Sequence, residues 1–399
     1  MLTLPRVHPF LMALLTEHSY EEDQPVRVPL HSWETIVDEA ITQRITPFLL
    51  RWLNQSAHQR QAFPHLLTAL KQQVAQHTVW QLLLTKELRS ILATCEQKGI
   101  ACIPIRGPVL AEHLYGDCST RQMDDLDFLV HRGDLSAIKD IFQHLNYAFH
   151  EHRPGFPEAF SYSLEFIHPH HGFLVEPHWT LTYPPFIDTA AMEPVWARAK
   201  RQPWAGIDTW TLSHEDLLLH LCLHLHHKGQ LAPLLWFCEL DTVIRRHGST
   251  LDWTIFMHQT QLMEQARAVC DVLTIMMEAF HSPVPESVVR QLAAEMHGAT
   301  SPSSLIICSR ILARSSFSGR EELELLCSLE SLHQQLRYLS ALLFPSPQYM
   351  TRRYGASTRI SVIGFYIARL FHIGAAVLQW AVAWIGTIVS TRSRSSTRR

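Results

Sequence analysis

GIACIPIRGPVLAEHLYGDCSTRQMDDLDFLV, residues 99–130, falls into four parts. It reads as a short apolar strand from Ile100 to Ile105, a turn at Arg106-Gly107-Pro108, a helix carrying Val109, Leu110 and Leu114, and a second strand beginning at Asp125. Side chains two apart on a strand share a face. Asp125 and Asp127 therefore point the same way, with Leu126 and Phe128 turned to the other side and Asp124 expected to be solvated or capping. Neighbouring carboxylates repel unless a cation lies between them, and a hard divalent ion takes oxygen ligands of this kind.

Working outward, a helix is expected from Asp134 to Leu145, then a loop over EHRPGFPEAF (151–160), whose two prolines and glycine break regular structure. FSYSLEFIH (160–168) and GFLVEPHW (172–179) read as two strands, the second carrying Leu174, Glu176 and His178 on one face. Pro177 lacks an N–H and predicts an edge position for that strand. Upstream, the chain reads as helical to about Lys98. Ser32 is placed to cap a helix with Trp33, Ile36 and Val37 on one stripe, and a later stripe uses Val79, Leu82, Leu83, Ile91 and Leu92 before Gly99 ends it. From about Ile187 onward helix is expected throughout, with Ser213 and Asp216 opening one that runs to His227. His220, His224 and His227 share a face of it, and Asp241 follows on the next helix.

The expected organisation is a helical region over 1–97, a core over 98–186, a helical domain over 187–345, and a C-terminal helix with a basic tail over 346–399. Ile373 to Val389 is nearly all apolar and is followed by TRSRSSTRR, which fits either a packed helix or weak membrane association through residues 373–399. The 399 residues are 47% hydrophobic and 18% charged, enough apolar material for a sizeable core. A net charge of −3 argues against general nucleic-acid binding, which calls for a basic excess. Eight scattered cysteines without a CxxC pair, and an N-terminus without a secretion-signal pattern, favour reduced thiols and a cytoplasmic setting.

The Gly-containing turn, an Arg shortly before an Asp-x-Asp strand, and a third acid on a later strand followed by His-Trp resemble the nucleotidyltransferases of the DNA polymerase β-like superfamily. More narrowly they resemble its branch of uncharacterised nucleotidyltransferases. The matching residues are Arg106-Gly107, Arg121, Asp125 with Asp127, and Glu176 in LVEPHW. The resemblance implies an α+β fold with a small mixed β-sheet and flanking helices. It also implies transfer of a nucleoside monophosphate from a nucleoside triphosphate to an acceptor hydroxyl with Mg²⁺ or Mn²⁺. In that scheme Asp125 and Asp127 hold two ions and Glu176 holds the activating one, with a second role as general base. Gly107 lets backbone approach the triphosphate, Arg106 and Arg121 clamp phosphate, and His178, His224 and Asp241 contact nucleotide or acceptor. The turn departs from the family pattern, with Arg106-Gly107-Pro108 where Lys-Gly or Gly-Ser is usual. Together with Pro177 this motivates an alternative, a catalytically inactive binding or regulatory protein on the same scaffold. A third reading makes the His220, His224, His227 face a zinc site.

Overall fold

The computed structural model describes residues 2–16, 32–55, 64–151, 153–183, 189–298, 325–326, 329, 331–354, 363–371 and 374. The chain forms two compact units, one of residues 1–149, 165–181 and 188–298, the other of 150–164, 182–187 and 299–399.

The first unit opens with helices α1 (Pro9–Thr16), α2 (Trp33–Thr42), α3 (Thr46–Gln55) and the long α4 (Pro64–Gln97). Phe10, Trp33 and Trp52 form an aromatic cluster, Phe10 edge-on to both indoles, which stack at 6.1 Å. Ser32 stands at the N-cap of α2 without a side-chain capping bond. On α4 the expected stripe needs correction: Ile91 and Leu92 are buried, but Val79, Leu82 and Leu83 are exposed. The inward face instead runs through Gln81, Leu84, Leu88 and Cys95, and Gln81 is held there by donating to the Met123 carbonyl at 3.3 Å. A buried polar group of this kind decides the face because it must find its partner. Gly99, at φ +71°, closes the helix as the glycine stop requires, with Gly99 N–H bonded to Glu96 O and Ile100 N–H to Cys95 O.

Five strands follow: β1 (Cys102–Pro104), β2 (Asp125–Val130), β3 (Ala148–His150), β4 (Glu165–Ile167) and β5 (Leu174–His178). They form one sheet in the order β1-β2-β5-β4-β3. β1 is antiparallel to β2, β2 parallel to β5, and β5 antiparallel to β4, so the sheet is mixed and the fold is α+β. β5 is thus an inner strand, contrary to the edge position expected from Pro177. Its register with β4 covers only Val175 and Leu174, so that ladder ends before the proline.

Helix α5 (Gly107–Tyr115) links β1 to β2, and α6 (Leu135–His144) follows β2. Phe142 of α6 stacks on Phe128 at 6.3 Å and on Phe166 at 4.4 Å, covering the sheet face opposite the aspartates. Beyond β5 come α8 (Glu193–Arg198), a hairpin of β6 (Lys200–Trp204) and β7 (Ile207–Thr211), and then α9 (His214–Lys228), α10 (Leu234–His247), α11 (Trp253–Leu262), α12 (Ala266–Phe280) and α13 (Glu286–Gly298). The hairpin corrects the expectation of helix throughout. Its turn, Ala205-Gly206, has φ of +47° and +78°, the backbone twist that joins two strands through two residues. Ser213 caps α9 by accepting the Asp216 N–H, while the buried Asp216 carboxylate takes two bonds from Arg198, at 2.6 and 2.9 Å.

In the second unit, α7 (Phe156–Phe160) lies inside the stretch expected to be loop. Pro157 occupies its first turn, where no backbone N–H is needed. Phe156 and Phe160 pack on Tyr338 of α14 (Leu332–Leu343), a helix begun by a Ser331–Gln334 capping box. α15 (Pro347–Tyr354) and a helix over 363–371 follow. Except for residue 374, the apolar run and basic tail lie outside the described residues. Among the described residues no helix is long and apolar enough to cross a membrane. Cys95, Cys102, Cys118, Cys222, Cys238 and Cys270 are free thiols.

Candidate metal and nucleotide site

The parallel register sets Asp127 opposite Glu176 and Leu129 opposite His178, with Asp125 one pleat earlier on the same face as Asp127. Neighbouring strands are about 4.8 Å apart, and one donor atom from each of Asp127, Glu176 and His178 lies within 4.8 Å of the other two. The two-residue strand period and the register together converge the acids.

Asp127 is 2% exposed, yet its carboxylate is fully engaged. Arg106 donates from Nη2 to Oδ2 at 2.5 Å, and His178 Nε2 lies 3.2 Å from Oδ1. Burial opposes ionisation here, but the Arg106 guanidinium and the His178 bond outweigh it and hold the carboxyl well below the usual range. Asp125 shows the reverse: burial, then the charge of Asp127, push its carboxyl up to about 6, with Glu176 adding and Arg106 opposing. For His178 burial disfavours the cation, yet its bonds to Asp127 and Glu176 raise it above the ordinary imidazole value. Its Nε2 is 3.7 Å from Glu176 Oε2, whose side chain is the more open of that pair. The chain's own cations thus occupy the space between the acids.

Arg106 is the N-cap residue of α5 and is buried. Besides Asp127 it meets His224 in a short contact and lies 5.9 Å from the centre of the Trp236 ring. His224 in turn sits 4.3 Å from that indole. Gly107 has φ +71°, and a Cβ there would meet only Leu126 Cδ2 at 3.9 Å. Backbone conformation, not crowding, is what demands glycine. His220 is fully buried, and among the described residues neither of its ring nitrogens has a hydrogen-bond partner. Burial, then the charges of Arg106 and His178, keep it neutral with a pKa well below the ordinary value.

Arg121 does not pair with Asp117 or Asp124. Its Nε donates to Glu239 Oε1 at 2.6 Å, and both side chains are buried. Asp117 instead caps a single turn through the Ser119 N–H, and Asp124 is exposed and paired with Arg44. Asp241 is tied to Ser282 Oγ at 2.6 Å and Arg245 Nε at 2.9 Å, neither of them part of the acid cluster. Glu239 and Trp236, on the helix that supplied Asp241, were not singled out by the sequence. Their signal was only that helical spacing places them near one side of α10. Among the described residues, converging metal-type donors occur at Asp127–Glu176–His178 and at His113–His214–His247, not along the His220, His224, His227 face.

A family described as uncharacterised nucleotidyltransferase matches residues 29–281, more than half of the chain, spanning the whole acid site and helices α2 to α12. No curated protein and no solved structure matches. The chain therefore belongs to the uncharacterised nucleotidyltransferase family, and nucleotidyl transfer is the activity that membership supports.

Proposed function

We propose that this protein transfers a nucleoside monophosphate from a nucleoside triphosphate to an acceptor hydroxyl with a divalent cation, Mg²⁺ or Mn²⁺. The observation that carries the proposal is Asp127 standing directly opposite Glu176, with Asp125 one pleat away on the same face and its carboxyl raised by burial and then by the charges of Asp127 and Glu176. The donor set fits a divalent cation: Asp127 and Glu176 converge with His178, and Asp125 stands on the same face one pleat away. Asp125, Asp127 and Glu176 would hold it. When bound, it would neutralise triphosphate charge and make the acceptor hydroxyl more acidic.

The remaining work falls to the chain. Glu176, at 22% side-chain exposure against 1% for Asp127, would take the acceptor's proton. Arg106, whose Nη2 already donates to an oxyanion, can exchange that carboxylate for phosphate oxygens. Gly107, with its left-handed backbone at the start of α5, presents main chain without a Cβ. His178 orients the carboxylates from the floor of the site, and His224 backs Arg106. We assign Arg121 to tying the segment that precedes β2 to α10 through Glu239, and not to a direct phosphate contact.

The test is pyrophosphate release from each triphosphate in the presence of Mg²⁺ and a cell extract. Asp125→Asn with Asp127→Asn should lower the rate by at least ~10²–10³-fold, the scale of removing a preorganised electrostatic group. Full activity in the double variant would sink the assignment. The Arg106 and His178 contacts that occupy Asp127 also support the second reading, a scaffold that binds nucleotide without turning it over. Calorimetric triphosphate binding without pyrophosphate release would favour that reading.

A further inference from the structure

Away from the acid site, three histidines distant in sequence meet beside a cavity. His113 comes from the last turn of α5, His214 from the first residue of α9, and His247 from the last residue of α10. One ring nitrogen from each lies within 4.8 Å of the other two. The Nε2 atoms of His113 and His247 are 3.2 Å apart. Zinc–nitrogen bonds of about 2.0–2.1 Å in a tetrahedron put ligand nitrogens roughly 3.3 Å apart, so this edge already has the required length. The ring centres of His113 are 5.3 Å from His247 and 5.7 Å from His214, the spread expected for imidazoles radiating from one ion. Only the His214–His247 pair, stacked at 3.7 Å, must open, and both rings are half-buried at helix ends.

Two further observations point to a ligand. All three imidazoles are half-buried. His113 and His214 line a cavity of about 150 Å³ with Glu112, Gln202, Trp204 and Thr211, which leaves an open side for water or a small ligand. Glu215 lies near His214 and His247 and accepts from the Asp252 N–H, Lys200 lies near His214, and Arg246 donates to the carbonyls of His113 and Leu114.

We propose that His113, His214 and His247 form a three-histidine site for a divalent first-row transition ion, Zn²⁺, with its fourth position open to the cavity. Three imidazole nitrogens suit a borderline-soft ion and not the hard Mg²⁺ favoured by carboxylates, so the two sites select different metals. The inference does not rest on the nucleotidyltransferase reading.

The test adds Co²⁺ alone to metal-stripped, full-length protein. An intense visible absorption band of four-coordinate Co²⁺, saturating at one ion per chain and displaced by Zn²⁺, is expected. His247→Gln should weaken Co²⁺ binding by at least ~100-fold, beyond the ~10–100-fold typical of losing an outer-shell partner. Asp127→Asn should leave the band unchanged. If His247→Gln fails to fold by far-ultraviolet circular dichroism, His214→Asn, at a helix start where Asn is tolerated, replaces it. Only a weak six-coordinate spectrum, a band that survives the histidine variant, or one lost in Asp127→Asn would overturn the proposal.

Discussion

Asp127 can be both ionised and buried because Arg106 and His178 stand against its two oxygens. Removing one partner of such a buried pair leaves an uncompensated charge and costs about 3–5 kcal/mol. Arg106→Met should therefore destabilise the protein by that amount in urea unfolding. If Asp127 belongs to a cation site, millimolar Mg²⁺ should raise the melting temperature of this variant more than that of the natural protein, since the ion replaces the missing guanidinium. Equal shifts would count against a cation there. Arg121 and Glu239 allow a cleaner experiment, because no bound ion is proposed between them. Arg121→Met and Glu239→Leu should each cost about 3–5 kcal/mol, and the double variant much less than their sum, because no lone charge is left behind. Additive losses would show that the pair is not coupled.

Among the elements, the two loops that set direction are both left-handed. Gly107→Ala should cost about 1–2 kcal/mol, because φ +71° disfavours any Cβ whatever the space around it. Ala205 pays this strain already, at φ +47° in the β6–β7 turn. Ala205→Gly should stabilise the protein by about 0.5–1 kcal/mol, the relieved strain less the extra entropy of glycine, measured by denaturant midpoint. Legibility in the sequence followed the same local logic. The acid strands were readable because an apolar run with a two-residue period fixes which side chains share a face. The β6–β7 hairpin was not, since Lys200, Arg201, Gln202 and Pro203 are all exposed and leave no apolar alternation to read. Gln81 turned α4 away from the face its leucines suggested, and its partner carbonyl at Met123 lies in another element. Glu239 meets Arg121 across 118 residues, a pairing that no local pattern announces.

At the scale of the whole molecule, the large histidine content becomes a pH response. His220 and His224 are buried and His227 is half-buried, and desolvation first of all drives their pKa values below 6.5, that of His227 to about 3. The groups facing them reinforce the effect: Arg106 acts on all three, His178 on His220 and His227, and Lys228 on His224 and His227, with Asp127 alone opposing at His220. In the unfolded chain these imidazoles take up protons as pH falls through 6.5, whereas in the folded chain they do not. Their contribution is fully present above that value and is lost on acidification. Asp125, raised to about 6, works the other way below that pH, because the folded state then holds the extra proton. His178, raised above 6.5, changes stability only at higher pH, where its contribution is lost. Between pH 6.5 and 5 these three imidazoles less Asp125 leave about two more protons bound by the unfolded state, and His247, lowered to about 4, with His113 and His214 adds to them, a slope reaching at least ~2.7 kcal/mol per pH unit. Urea unfolding across that range should show stability falling with pH, and His227→Gln should flatten the slope by about 1.4 kcal/mol per pH unit. A flat profile, or one that rises toward pH 5, would mean that these imidazoles are not buried in neutral form.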